Sequence, residues 1–167
     1  AAAGQAHSEP MSTTRNDLPA TVRSTMVELL NANLATALDL ALSAKQAHWN
    51  VKGPTFFGLH ALFDQIAAAA HAWADDLAER AVQLGGIADG TVGAIAARSR
   101  LGAYPKVGGD GHLAVVVDRL AGFAASARAA IDAAGSAGDA VTSDLFTEIT
   151  GAADKQLWMT EAHLPSA

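Results

Sequence analysis

Residues 55–86 read TFFGLHALFDQIAAAAHAWADDLAERAVQLGG, and the architecture of the chain follows from them. Leu59, Leu62, Phe63, Ile66, Trp73 and Leu77 each lie three, four or seven residues from another of the set, with Val82 beyond them, the spacing of one apolar face on an α-helix. The run Ala67-Ala68-Ala69-Ala70 adds helix propensity without bulk. Gly85-Gly86 ends the pattern, because glycine adopts the backbone conformations that close a helix. The spacing predicts a long amphipathic helix from about Thr55 to that glycine pair.

The same period continues on both sides. Upstream, Val22, Met26, Leu29, Leu30, Leu34, Leu38 and Leu42 predict a helix from Leu18 to about His48. Asp17 ahead of Pro19 reads as its cap, and Gly53-Pro54 as its stop. Downstream, residues 87–110 are a Gly-rich connection with Pro105 and one short helix around Gly93 to Ser99. A third long helix is expected from about Gly111 to Ala134, burying Leu113, Val116, Val117, Leu120, Phe123 and Ile131. After the break at Gly135 to Gly138, a fourth should run from near Asp139 to about His163 through Val141, Leu145, Phe146, Ile149, Leu157 and Trp158. Nothing reads as a strand. Four rods of about 35–45 Å make an all-α four-helix bundle, and the long connection suits a crossover along its length. Residues 1–17 are small, polar and aperiodic, so they read as a disordered tail to one domain at 18–167.

Composition narrows the chemistry. A chain of 167 residues can bury a core without staples, and it has no Cys, which removes thiol catalysis, iron–sulfur clusters and Cys-ligated zinc. The missing disulfides tilt the location toward a reducing compartment, the cytoplasm, with the periplasm left open. A formal charge of −6, with Glu9, Arg15 and Asp17 as the charged residues of the tail, provides no basic arm for phosphate backbones. No window of eighteen residues is apolar throughout, so no membrane span is expected. Phosphate-binding loops, the Gly-x-Ser-x-Gly elbow, His-Glu-x-x-His and the Glu-x-x-His pairs of a di-iron site inside one bundle are all missing from the sequence.

What remains is a stripe of ligands. His60 and Asp64, then Asp75 and Glu79, are two i, i+4 pairs on the helix of residues 55–86. With His60 at zero and about 100° per residue, the other three fall near 40°, 60° and 100°. The pairs stand about 22 Å apart along the axis, too far to share one ion within a chain. A second copy of the helix packed antiparallel brings His60 and Asp64 of one chain to Asp75 and Glu79 of the other. Facing residue numbers then sum to about 139, with the centre at Ala69 and Ala70, where small side chains permit close approach. His48 at the end of the preceding helix offers a further nitrogen. Carboxylates and imidazoles with open positions suit iron better than calcium or a closed zinc site. Trp49 reads as a core anchor that could also shield the metal. His71, His112 and His163 are set apart from the stripe as surface or core histidines.

Lys45-Gln46-Ala47-His48-Trp49-Asn50-Val51-Lys52-Gly53-Pro54, then Phe56, His60 and Asp64, then Asp75-Asp76-Leu77-Ala78-Glu79-Arg80-Ala81-Val82-Gln83-Leu84-Gly85-Gly86, closely resembles the Dps family, mini-ferritins named as DNA-binding proteins from starved cells. The resemblance is specific over residues 45–86 and implies a ferritin-like bundle. It further implies a shell of twelve subunits that oxidises Fe(II) at two-fold interfaces, with hydrogen peroxide as the usual oxidant, and stores ferric mineral. By position, His48, His60 and Asp64 match the contribution of one subunit, and Asp75 and Glu79 that of its partner. Asp118, Asp139, Asp144 and Glu148 could line a three-fold entry pore. Members that condense DNA commonly use lysine-rich tails, whereas here residues 1–17 and those after Lys155 have no Lys or Arg apart from Arg15. Weak or no DNA binding is therefore expected, with nucleoid compaction as the competing function. Iron oxidation should fall below about pH 6, where histidine titrates.

Overall fold

A computed structural model describes residues 11–165. Helix α1 spans Ala20–Asn50, α2 Phe56–Gln83, α3 Val92–Arg98, α4 His112–Ser136 and α5 Ala140–Glu161. Among the described residues there is no strand, and no helix is long and apolar enough to cross a membrane. The expected all-α bundle with a helix-bearing crossover is what forms.

α1 packs chiefly on α2 and α4 chiefly on α5, and the two pairs join mainly through α1 against α4. The large side chains Phe63, Phe123, Phe146, Leu30, Leu40, Ile66, Leu77 and Leu120 are fully buried, and Trp73 stacks on Phe123 with centroids 5.4 Å apart. Ala35, Ala37, Ala41, Ala44 and Ala47 have no exposed surface at all, so α1 meets its neighbours along a row of methyl groups. Gly86 is needed for a similar reason. A Cβ there would lie 2.5 Å from both methyls of Val27.

The crossover traverses the bundle. At one end Arg23 Nη1 donates to Leu84 O at 2.9 Å, while at the other the Lys52 N–H donates to Gly109 O. Between them the buried Asn31 side chain donates to Ile87 O and accepts from the Asp89 N–H, both at 2.9 Å. Arg119 of α4, also buried, donates to Ser43 of α1 at 3.0 Å and to Gly102 O at 2.9 Å, and it pairs with Asp39. These contacts hold α3 and its flanks against α1, because each satisfies a polar group that would otherwise be buried alone.

Four expectations change. Asp17 is exposed and does not cap α1; Pro19 occupies the cap position with no side-chain hydrogen bond, and the Asn16 side chain instead accepts from the Leu18 N–H. Asp139 cannot line a pore, since it is 1% exposed. It caps α5 by accepting from the Thr142 N–H and binds Arg80 through both carboxylate oxygens. Leu42, Val82, Val141 and Trp158, which share the apolar period, stand more than half exposed. Finally, residues 11–17 lie without helix along the bundle, the Ser12 N–H donating to Gly85 O at 2.7 Å and Met11 packing on the core, which anchors the inner end of the expected tail. Residues 1–10 of that tail lie outside the described residues.

Candidate metal centre

The turn at 51–55, with Gly53 at φ 115°, folds α2 back on α1 so that His48 in the last turn of α1 meets His60 in the second turn of α2. The rings stack with centroids 3.7 Å apart and an interplanar angle of 18°. Their hydrogen bonds are reciprocal. His48 Nδ1 bonds the His60 carbonyl at 2.6 Å, and His60 Nδ1 bonds the His48 carbonyl at 2.8 Å. A carbonyl accepts only, so each Nδ1 carries the proton and each neutral ring keeps its Nε2 lone pair free, the arrangement of a metal-binding imidazole. Phe56 stacks on the other face of His60 with centroids 5.0 Å apart.

Asp64 follows His60 by one turn. Lys45 Nζ lies 2.7 Å from its carboxylate, and that hydrogen-bonded ammonium holds the Asp64 carboxyl below the ordinary carboxylate value. The carboxylate is therefore ionised and ready to bind a cation throughout the neutral range. Lys45 was missed as a participant, although its place one turn before His48 put it on the same face. Trp49 is not a core anchor. It is 66% exposed, since Ala47 and Val51 take the inward positions of that turn, and Lys45 Nζ sits 5.8 Å from its ring centroid.

Asp75 and Glu79 are exposed on α2, about 22 Å along the axis from His60 and Asp64. The structure thus stacks His48 on His60, sets Asp64 one helical turn beyond His60 and paired with Lys45, and leaves Asp75 and Glu79 apart. Among the described residues, no three His, Asp or Glu side chains of one chain converge to hold a metal ion. Of the histidines set aside from the stripe, His71 and His163 are exposed, while His112 is buried, its Nδ1 2.6 Å from the Tyr104 hydroxyl.

Comparison with known proteins agrees with the fold. The ferritin-like domain family matches residues 27–166. The DNA protection during starvation protein of Agrobacterium fabrum is 43% identical over 155 residues, covering 90% of this chain and 94% of that protein. Mycobacterium smegmatis Dps superposes with a TM-score of 0.87 at 34% identity, covering 95% of this chain and 96% of that one. Dps from Vibrio cholerae O1, described as a member of a broad superfamily of ferritin-like diiron-carboxylate proteins, superposes with a TM-score of 0.84 at 26% identity, covering 95% of this chain and all of that one. Five helices in this order, the histidine pair at the α1–α2 turn and a relative so similar over nearly the full length assign the chain to the Dps family of ferritin-like proteins.

Proposed function

We propose that the protein is a ferroxidase that oxidises Fe(II) with hydrogen peroxide at centres shared between two chains and retains the ferric product in a dodecameric shell. On this reading it works in the cytoplasm, and nucleoid association is open to it. The observation that carries the proposal is the half-built site: two imidazoles locked with Nε2 free beside an ionised carboxylate, and two further carboxylates on the same face of the same helix at the complementary height. The donor set fits iron, because carboxylates hold the cation and favour the more highly charged ferric product while imidazoles fix the geometry. The exposed apolar residues of α2 support the same two-fold register. Phe57 and Val82, 83% and 56% exposed, also have numbers that sum to 139, so each would cover the other where the antiparallel helices end.

In the reaction two Fe(II) each give one electron to one peroxide, which takes up two protons and leaves as two waters. No hydroxyl radical is released, so DNA would be protected by consumption of the reagents that damage it. Asp64, Asp75 and Glu79 supply the negative charge, and His48 and His60 bind only while neutral. Lys45 must leave Asp64 as the cation arrives, exchanging one positive partner for another. Direct coating of DNA receives no support from a formal charge of −6 per chain, and plasmid should migrate unretarded at physiological salt.

The test is anaerobic loading of the metal-free protein with Fe(II), followed by sub-stoichiometric peroxide, with ferric absorbance followed in wild type and in the Asp75→Ala, Glu79→Ala variant. Rapid oxidation that is lost in the variant is expected. Equal rates in the two proteins would remove the shared centre.

A further inference from the structure

Height along the helix separates His71 from both ligand pairs, but angle does not. Counted from His60 at about 100° per residue, His71 falls near 20°, inside the stripe that carries Asp64, Asp75 and Glu79. It is exposed, as are Phe57, Ala61, Ala68, Ala72 and Val82 of the same helix. Between Phe57 and Val82 that face carries the exposed carboxylates Asp64, Asp75 and Glu79 toward its ends and, near its midpoint, His71 among the small residues Ala68 and Ala72.

The position of that imidazole in a dimer rests on the same antiparallel two-fold register as the proposed iron centres. His71 is placed opposite Ala68 of the partner subunit, a methyl group that leaves space beside it. The two His71 positions are then offset by three residues, about 4.5 Å along the axis, on helices about 8–10 Å apart. A two-fold axis perpendicular to the plane of the two helices keeps both side chains on the same side of that plane. Two imidazoles so placed can each reach a single ion at about 2.0–2.1 Å. Asp75 follows His71 by one helical turn, near enough to accept the other ring N–H and orient the ligand nitrogen.

We propose that His71 of each chain, with His71 of the partner subunit, forms a divalent-cation site on the two-fold axis, midway between the two iron-oxidising centres. A site with two imidazoles and water selects a borderline ion such as Zn(II) over calcium or magnesium. Its stoichiometry is set by symmetry at one ion per two chains.

Zinc binding tests it. In a His48→Ala, His60→Ala background, which strips the nitrogen ligands from the iron centres, equilibrium dialysis with Zn(II) should retain about one ion per two chains. Adding His71→Ala should abolish that ion without changing the assembled size on gel filtration. Where the background fails to assemble, His48→Gln, His60→Gln replaces it. Zinc retention indifferent to His71→Ala, or one ion retained per chain, overturns the proposal. The two readings fail separately. If wild-type iron oxidation depends on Asp75 and Glu79 but zinc ignores His71, only the axial site falls, whereas a chain that stays monomeric removes both.

Discussion

His112 is the buried titratable group whose protonation the fold opposes most plainly. It begins α4 at 4% exposure, and burial holds its imidazole below the ordinary value of 6.5. Its Nδ1 lies 2.6 Å from the Tyr104 hydroxyl. Burial in turn pushes the Tyr104 phenol up, partly offset by Arg119. The sign for His112 follows from the direction of its shift. The unfolded chain takes up the proton near pH 6.5 while the folded chain does so only at lower pH, so the stabilisation is present above about 6.5 and lost as pH falls from there toward the folded value. Urea midpoints should therefore drop between pH 7 and pH 5.5. His112→Gln should lower the midpoint at pH 7 yet flatten that part of the profile, and an unchanged slope would assign the acid sensitivity to other groups.

At the scale of elements, the joint between α2 and α5 contains a buried ion pair. Arg80 Nη2 lies 3.0 Å from Asp139, with the two side chains 10% and 1% exposed. Thr142 completes the group by accepting from Arg80 Nε at 2.9 Å. Removing one partner strands the other charge, so Asp139→Ala should cost about 3–5 kcal/mol in denaturant unfolding, with the lost cap included. Replacing both Arg80 and Asp139 with apolar residues of similar volume should recover most of that loss, and a simple sum of the two single effects would refute the coupling. This joint also marks what the sequence could and could not reveal. Helix boundaries were legible because Gly53-Pro54, Gly85-Gly86 and the 135–138 run punctuate a strong 3.6-residue period. Asp139 was legible as a start signal, but its bond to a residue 59 positions away leaves no local trace. The Asp17 assignment failed because an acid before proline is a cap only when its side chain reaches a first-turn N–H, and no side chain does so at this helix start. The proposed ligand stripe could be laid out on α2 from sequence because helical geometry is rigid enough to compute by angle and rise. Lys45 and the reciprocal histidine bonds depend on how α1 and α2 meet, which spacing alone does not specify.

For the whole molecule, the apolar residues that miss the core matter more than those that fill it. Periodicity marked Val82, Leu42, Val141 and Trp158 as buried, yet a hydrophobic period does not distinguish a surface covered by the same chain from one covered by another copy. Phe57 and Val82 test the register proposed for such a second copy. They lie 25 residues apart on α2, about 37 Å, so no reagent of short span can join them within one helix, and only an antiparallel partner centred at residues 69–70 brings them together. The chain has no Cys, so introduced thiols are the only ones present. Phe57→Cys, Val82→Cys treated with a short bis-maleimide should run as a covalent dimer on a denaturing gel, while either single variant should remain monomeric. Cross-linking of a single variant would indicate a register centred near its own residue, and would separate His60 and Asp64 from Asp75 and Glu79 of the partner. A dimer formed only by the double variant would place those four side chains at one site in each half of the interface, the arrangement on which the proposed iron oxidation depends.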